Sequence, residues 1–309
     1  MMFQVGTISA FPGERVKGFL KVAELSDGSV INVPLIVVNG IQDGPIIWIQ
    51  CAIHGNEVEG SYALIKTIKE IDPKKLRGIL IGIPVLNVTA FWSGVRIPIF
   101  DNKDLNRIMP GKQDGSFAEQ YAYVIYKTVK EKVKYFIDVH SAGRVDWALY
   151  NEDVSVAEES KELAKSSGFD VIVSNGHGGE LNGALFRVLA KEGIPSIILE
   201  SKNIDKLHNA YMNILKHLKM IDGTPTIPSS QKLYKGFAWR EIVIRKGGLF
   251  CPLVEEGEKI SKGQLLGIVS DVFGDEVEKI FSPVNGLVLL SPGFKPVKTG
   301  DTPFEIAIE

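Results

Sequence analysis

Short apolar runs alternate with longer amphipathic segments between residue 46 and about residue 220. The apolar runs are continuous, as is typical of strands buried on both faces, and the amphipathic segments have helical spacing. The predicted strands cover residues 46–53, 78–86, 134–140 and 194–200, and the predicted helices cover residues 57–71, 118–133, 156–167, 181–192 and 203–220. This alternation predicts an α/β fold in which helices cover both faces of a mixed, mostly parallel sheet.

The pattern changes after residue 223, so we expect residues 1–223 to form the first domain. Residues 224–231, TPTIPSSQ, have the composition of a linker. From 232 to 309, short β-type runs and turn glycines predict a small all-β domain. A weak repeat, beginning at Gly248 and again at Gly286, resembles the flattened barrel of lipoyl and biotinyl carriers. The hairpin that carries the modified lysine in those proteins reads DVFGD here, which argues against a carrier role.

Composition narrows the class of protein. The 309 residues are 45% hydrophobic and 23% charged, as in a folded globular protein. A formal net charge of −2 indicates neither a nucleic-acid partner nor an anionic membrane surface. Cys51 and Cys251 are far apart, and the sequence has neither a signal-peptide pattern nor an apolar stretch of about 18 residues. We therefore expect a cytoplasmic protein.

A candidate metal-binding pattern begins at the end of the first predicted strand, which leads directly into His54 and Glu57. An H-x-x-E element alone is usually incidental, but imidazole and carboxylate across such a turn can face one cation and suit zinc. A second predicted strand ends in His140. Two histidines and one glutamate leave a fourth coordination position for water. The sequence thus predicts one zinc ion per chain, held by His54, Glu57 and His140.

Two carboxylates accompany these residues on predicted strands. Asp138 precedes His140 by two positions, so its side chain should project to the same side, either orienting His140 or serving packing or capping. Glu200 ends a mainly apolar strand, where a carboxylate needs a polar cleft or a neighbouring cation. A role as general base at the metal would explain this position, and capping of the following helix is the alternative.

A long polar loop, residues 87–117, follows the second predicted strand. Loops of this length commonly carry function. Arg96, Asn106 and Arg107 lie within it. Arginine with asparagine forms a suitable fork for a substrate carboxylate, and a separate arginine can stabilise the oxyanion of a tetrahedral intermediate. Either arginine alone is more simply interpreted as a solvated cation in a loop. Next to a predicted metal site, a role in substrate binding or catalysis is favoured.

These candidate residues occupy equivalent places in the predicted topology. In open α/β sheets, ligand sites form outside the carboxyl ends of the strands. His54, His140, Glu200 and the loop with the arginines each follow a predicted strand. The sequence therefore predicts one site at this edge of the sheet.

Taken together, the motifs resemble those of the succinylglutamate desuccinylase and aspartoacylase family, which has a zinc carboxypeptidase-like fold. The resemblance extends over most of the chain and is carried by HGNE at 54–57, DLNR at 104–107, DVHS at 138–141 and ILE at 198–200. It implies a zinc-dependent amidohydrolase that deacylates an N-acylated amino acid or a related small amine. The residue roles it implies are zinc ligation by His54, Glu57 and His140, proton transfer by Glu200, carbonyl polarisation by Arg96 and carboxylate binding by Asn106 and Arg107.

Two further residues have open roles. Arg187, in the helix before the Glu200 strand, either reaches a second substrate carboxylate or is a surface cation. His177, in the glycine-rich segment SNGHGGELNG, either lines the cleft or has no role.

Two other functions stay open at this point. A metallocarboxypeptidase would use the same ligands and the same carboxylate clamp, and a cleft open along one side would favour it. A closed pocket, blocked by the C-terminal domain, would favour the deacylase. The third hypothesis is a binding protein that keeps the fold without the chemistry. The acyl group, the amine and the oligomeric state, a homo-oligomer included, are not determined by the sequence.

Overall fold

The computed structural model describes residues 1–97, 100–176, 180–238 and 240–309. These residues form a large mixed sheet with helices on both faces and, in the C-terminal part, two small antiparallel sheets. The predicted α/β fold with an additional small β part is thereby confirmed. In the described ranges no helix has the length and apolar character needed to span a bilayer.

An N-terminal hairpin, β1 (Phe3–Val5) and β2 (Ile8–Ala10), precedes the large sheet. The nine strands of that sheet in the described residues are β3 (Glu14–Glu24), β4 (Val30–Asn39), β5 (Gln42–Cys51), β6 (Arg77–Ile83), β7 (Tyr135–His140), β8 (Trp147–Asn151), β9 (Val171–Asn175), β10 (Ser196–Glu200) and β11 (Lys232–Tyr234). Their order across the sheet is β11-β9-β8-β10-β7-β5-β6-β4-β3. The central strands β10, β7, β5 and β6 are parallel to one another, so their carboxyl ends share one edge.

Helices cover both faces of this sheet. They are α1 (Glu59–Glu70), α2 (Val88–Ser93), α3 (Phe117–Lys132), α4 (Ala157–Ser166), α5 (Leu185–Lys191) and α6 (Ile204–His217). On one face α1, α4 and α6 contribute Leu64, Leu163 and Tyr211 to a buried core. On the other face α3 and α5 contribute Tyr121 and Phe186 to a second core. Burial from both sides explains why the central strands are continuously apolar.

The four predicted strands correspond to β5, β6, β7 and β10, whereas the remaining strands of the sheet fall where no element was predicted. The predicted helix 181–192 is shorter than expected, because a 3-10 turn, Glu180–Gly183, precedes α5. Gly183 lies against the backbone of Arg107, where a Cβ atom would be 1.8 Å from the carbonyl oxygen. This close approach ties the turn to the Arg107 loop.

The C-terminal part contains β12 (Phe237–Ala238), β13 (Gly248–Pro252), β14 (Lys259–Ile260), β15 (Leu265–Ser270), β16 (Glu276–Phe281), β17 (Gly286–Leu290), β18 (Lys295–Val297) and β19 (Glu305–Ile308). Within the described residues these form two four-stranded antiparallel sheets, β12-β19-β17-β14 and β16-β15-β13-β18. A separate core containing Phe250, Leu266 and Phe304 lies among their strands. The two repeated segments begin β13 and β17, which belong to different sheets.

The predicted linker, residues 224–231, contacts helix α6 beside the large sheet. The Asn213 side chain donates to the carbonyl of Thr226 and accepts from its N–H, both at 3.0 Å. Strand β11, at the start of the predicted C-terminal domain, forms one edge of the large sheet. The domain limits 1–223 and 232–309 remain a prediction.

Candidate active site

Three neighbouring strands of the large sheet end at one place. In the parallel pair β10 and β7, Glu200 is directly opposite His140. Strand β5 lies on the other side of β7 and ends at Cys51. Ala52 then adopts a left-handed conformation, φ 53°, and turns the chain into His54. Residues from three strand ends are thus brought together across the sheet.

The predicted ligands His54, Glu57 and His140 form a compact buried group. Their side chains are 2%, 6% and 5% exposed. Nδ1 of His54 lies 2.9 Å from Oε1 of Glu57, and Nδ1 of His140 lies 2.9 Å from Oε2. One candidate ligand atom from each residue falls within 4.8 Å of the other two, so this group could hold a metal ion.

The other ring nitrogen of each histidine faces a polar side chain. His54 Nε2 is 3.3 Å from Oδ1 of Asp104, and His140 Nε2 is 3.6 Å from Oδ2 of Asp138 and 3.3 Å from the Asn106 amide. A carboxylate beside Nε2 favours the tautomer that keeps the proton there, which leaves Nδ1 free to bind a metal. This geometry is compatible with the acceptor role of Asp138, which stays a prediction. Asp104 was not predicted as a site residue, although it begins the DLNR motif.

The charge state of the group also suits a cation. Burial alone raises the pKa of Glu57, but hydrogen bonds and charge from His140 and His54 outweigh it and hold the pKa well below its usual range. Burial alone lowers the pKa of His140, but Asp138 and Glu57 raise it well above its usual value. A divalent cation would take the place of the proton on His140. Two imidazoles and one carboxylate are a suitable donor set for zinc.

Glu200 is buried at the wall of the same site. Its Oε1 accepts a hydrogen bond from the N–H of Ala142, in the loop after His140. The helix-capping interpretation of Glu200 is wrong, since the Asn203 side chain caps α6 by accepting from the N–H groups of Asp205 and Lys206. Burial, followed by the charge of Glu57, raises the pKa of Glu200 to about 8.

Arg96 lies beside the ligand group. Its Nη1 donates to Oε1 of Glu57 at 3.2 Å, and the side chain is 46% exposed. Gly55 explains this proximity, because a Cβ atom there would be 2.2 Å from the Ala90 carbonyl carbon and its own N–H donates to the carbonyl of Arg96. The small residue between His54 and Glu57 thus lets the loop with Arg96 approach the ligands.

Asn106 and Arg107 stand on a 3-10 turn, Leu105–Arg107, inside the predicted loop. The Asp104 side chain begins this turn by accepting from the N–H of Asn106 at 2.8 Å. Asn106 is buried and Arg107 is half-buried, and both line the same cavity as the three candidate ligands. The cavity holds roughly 500 Å³ of empty space, part of it open to solvent.

Other walls of the cavity come from residues that the sequence analysis did not identify. Trp147 and Leu149 on β8 line it, as do Phe237 and Glu305 from the C-terminal part. The Trp147 and Phe237 rings are 5.7 Å apart between centroids. No local sequence pattern indicates this assembly, because the tertiary fold alone brings β12 and β19 to the site.

Arg187 is not brought to the ligand group. It is 3% exposed, so the surface-cation interpretation is wrong. Its guanidinium pairs with the Asp153 carboxylate and donates to Oδ1 of Asn151 at 3.1 Å. Arg187 is not among the residues that line the cavity in the described part of the chain, and substrate binding by it stays a prediction. His177 lies outside the described residues.

Fold and site together define a mixed α/β protein with a candidate metal centre at the carboxyl edge of its sheet. Residues 43–173 match the model of the Succinylglutamate desuccinylase/Aspartoacylase catalytic domain. The match confirms, over this region of the chain, the family resemblance that the motifs indicated.

One curated relative and two solved structures are similar to most of this chain. The N-alpha-acetyl-L-2,4-diaminobutyric acid deacetylase of Halomonas elongata is 25% identical, with 82% of this chain and 80% of the relative covered. The product-bound ectoine utilization protein EutE (DoeB) of Ruegeria pomeroyi has a TM-score of 0.86 at 23% identity, covering 99% of this chain and 98% of its own. A succinylglutamate desuccinylase/aspartoacylase from Rhodobacter sphaeroides has a TM-score of 0.83 at 21% identity, covering 94% of each chain. The two structures share the fold of this chain.

Proposed function

We propose that this protein is a zinc-dependent amidohydrolase that removes the acyl group from an N-acylated amino acid or a related small amine. The observation that carries this proposal is the convergence of His54, Glu57, His140 and Glu200 in one cavity. The diaminobutyrate deacetylase of Halomonas elongata supports an acetyl group, and the family match leaves a succinyl group as the alternative.

The residues that line the cavity have separate roles in the proposed hydrolysis. Asn106 and Arg107 bind the substrate carboxylate by hydrogen bonds and charge. Arg96, half-exposed beside Glu57, stabilises negative charge that develops on the carbonyl oxygen. His54, Glu57 and His140 hold the zinc ion. Zinc, when bound, supplies a Lewis acid that lowers the pKa of water and polarises the amide carbonyl.

Glu200 acts as general base and then as general acid. Its carboxylate takes a proton from the attacking water and returns a proton to the leaving amine. Burial raises its pKa to about 8, and a neighbouring cation shifts the balance toward the ionised form. A carboxyl group that titrates near neutral pH is suited to both transfers. The Ala142 N–H fixes the position of one carboxylate oxygen.

The deacylase is favoured over a metallocarboxypeptidase by the walls of the cavity. Phe237 and Glu305 from the C-terminal part form one side of it, where a long peptide would otherwise extend. A small cavity of this kind accommodates an acyl amino acid more readily than a polypeptide. An inactive binding protein has no need of a buried Glu200 beside the ligand group.

Elemental analysis combined with a substrate panel tests the proposed function. We expect about one zinc per chain, together with hydrolysis of at least one N-acetyl or N-succinyl amino acid roughly 100-fold faster than any short peptide. Faster turnover of peptides would support the carboxypeptidase instead. A protein that stays metal-free after zinc is added, or that hydrolyses no member of the panel, would support the binding protein.

Arg107→Ala should chiefly weaken substrate binding. We expect KM for substrates with a free carboxylate to rise about 10- to 100-fold with little change in kcat, because the interaction is present in both ground and transition states. A carboxamide analogue of the same substrate serves as the control, since it has no charge to lose and its kcat/KM should be similar in both proteins. Unchanged kinetics on the carboxylate substrate would remove Arg107 from the clamp.

A further inference from the structure

The loop at residues 141–146 passes over the end of the strand that carries Glu200. It connects β7 to β8, and β10 lies between those two strands in the sheet. Glu200 is opposite His140 on one side and opposite Trp147 on the other, so the loop crosses the carboxyl end of β10. From this crossing the N–H of Ala142 donates to Oε1 of Glu200. The position of the loop therefore affects where the Glu200 carboxylate is held.

The two ends of this loop are fixed by the large domain. At the beginning of the loop, the hydroxyl of Ser141 donates to Oε2 of Glu59 at 2.6 Å. At its end, the Asp146 carboxylate accepts hydrogen bonds from the Ser201 hydroxyl and the Lys206 ammonium group. These bonds hold the loop near the strand ends, whereas its middle faces the C-terminal part of the chain.

Glu256 holds the middle of the loop from the C-terminal part. Its Oε2 accepts a hydrogen bond from the N–H of Arg144 at 2.6 Å, and its Oε1 accepts one from the N–H of Ser291 at 3.1 Å. Ser291 directly follows β17, so one carboxylate connects the loop to the C-terminal sheets. Gly143 lies close to the same strand, because a Cβ atom there would be 3.1 Å from the carbonyl oxygen of Leu289. The loop thus contacts both parts of the chain.

The two bonds of Glu256 require a carboxylate. Each of its oxygens accepts from a different backbone N–H, and bonds to an ionised acceptor are stronger than neutral ones. Glutamine could accept with one oxygen only and would place its own N–H group opposite the second donor. A misplacement of about 1 Å can lower the rate of an enzyme on the order of 100-fold. Even a small shift of the loop would therefore matter for a reaction that depends on Glu200.

We propose that Glu256 is a positioning residue for the general base: it holds the 141–146 loop so that the Ala142 N–H keeps the Glu200 carboxylate in place. This inference rests on the proposed deacylase function. Glu256 is not among the cavity residues in the described part of the chain, so it acts through the loop and not on the substrate. The C-terminal part of the chain thereby contributes to the rate of the reaction as well as to the wall of the cavity.

Combining Glu256→Gln with Glu200→Gln in the zinc-loaded protein tests this inference. We expect Glu256→Gln alone to lower kcat about 10- to 100-fold and to change KM less than about 3-fold, because the substrate-binding residues are unchanged. In the Glu200→Gln background the same substitution should lower the residual kcat less than about 2-fold, since misplacing a general base has no effect once that base is removed. Glu255→Gln, at the exposed neighbouring position, is the control and should behave as wild type.

Hydrogen exchange provides a readout that does not depend on hydrolysis. The backbone amides of residues 141–146 should exchange about 10- to 100-fold faster in Glu256→Gln than in wild type, because a bond to a charged acceptor is lost. This difference should be present in both the zinc-loaded and the metal-free protein. Equal exchange rates in the two proteins would mean that Glu256 does not hold the loop.

The outcomes separate this inference from the proposed function. A wild-type protein that hydrolyses no N-acyl amino acid would overturn the proposed function and the positioning role together. Normal hydrolysis by Glu256→Gln, or an equal loss of kcat with and without Glu200, would overturn the inference alone. If Glu256→Gln does not fold, Gly143→Ala takes its place, because the added methyl group pushes the loop away from the Leu289 carbonyl and leaves Glu256 intact. It should lower kcat only when Glu200 is present, and an unchanged kcat would contradict the proposal.

Discussion

Glu200→Gln is expected to keep zinc bound and to lower kcat by roughly 10³- to 10⁴-fold, the upper part of the range for general acid–base residues. Glutamine preserves the shape of the side chain, and its oxygen can still accept the hydrogen bond from the Ala142 N–H. It cannot take a proton from water or return one to the leaving amine. The loss corresponds to about 4 to 5 kcal/mol of transition-state stabilisation.

Steady-state kinetics on the best substrate measure the change in kcat, and elemental analysis of the same preparation measures the zinc content. Glu192→Gln is a suitable control, since Glu192 pairs with Lys130 and is not among the cavity residues in the described ranges. A Glu200→Gln protein that retains zinc and turns over at a near-normal rate would remove Glu200 from the mechanism.

The metal-free form of the same variant provides a second readout that does not depend on activity. The pKa of Glu200 is raised from its ordinary 4.5 to about 8 in the folded protein, so between these values the unfolded chain binds fewer protons than the folded one. This group therefore makes the metal-free wild type less stable as pH rises from about 4.5 to 8. Glutamine has no such dependence, and the melting temperature of the variant relative to wild type should increase over this window.

His140→Ala is expected to abolish stable zinc binding and, with it, hydrolysis. The substitution removes one of three candidate ligands and leaves the Oε2 atom of Glu57 without its closest imidazole. The remaining two ligands cannot form the three-residue set of a catalytic zinc site. Changing a residue that only hydrogen-bonds to a ligand typically lowers zinc affinity about 10- to 100-fold, and we expect a larger loss here. Elemental analysis after dialysis against metal-free buffer measures the occupancy.

Two other variants serve as comparisons for the zinc binding of His140→Ala. Asp104→Asn keeps the cap of the 3-10 turn but weakens the acceptor for Nε2 of His54, so zinc affinity should fall only about 10- to 100-fold. His217→Ala changes an exposed histidine at the end of α6 and should retain full zinc. Full occupancy in His140→Ala would mean that the ligand set is wrong.

The central part of the fold could be predicted because its strands are buried on both faces. Such strands are continuous apolar runs, and β5, β6, β7 and β10 all have this character. Strand β4 instead has buried residues at alternate positions, Ile31, Val33, Leu35 and Val37, a pattern that the sequence analysis did not interpret. Strands β8 and β9, five residues each, were likewise not predicted.

The candidate site was predictable to the extent that its residues stand at strand ends. His54, His140 and Glu200 each lie at or just after such an end, and the parallel direction of the strands brings them together. Arg187 shows the limit of this reasoning. Its helix position is equally compatible with a surface and a buried cation, and only the contact with Asp153 distinguishes them.

The sequence by itself determined the class of fold and the family resemblance, and it predicted a candidate set of site residues, because strand burial and short motifs are local properties. Tertiary structure decided the register that places Glu200 opposite His140, and the contacts through which Asp104 and Asp138 flank the two histidines. It also decided that Phe237 and Glu305, far along the chain from the ligands, complete the cavity. Contacts between residues this distant in sequence depend on how separate elements pack, and no local pattern encodes them.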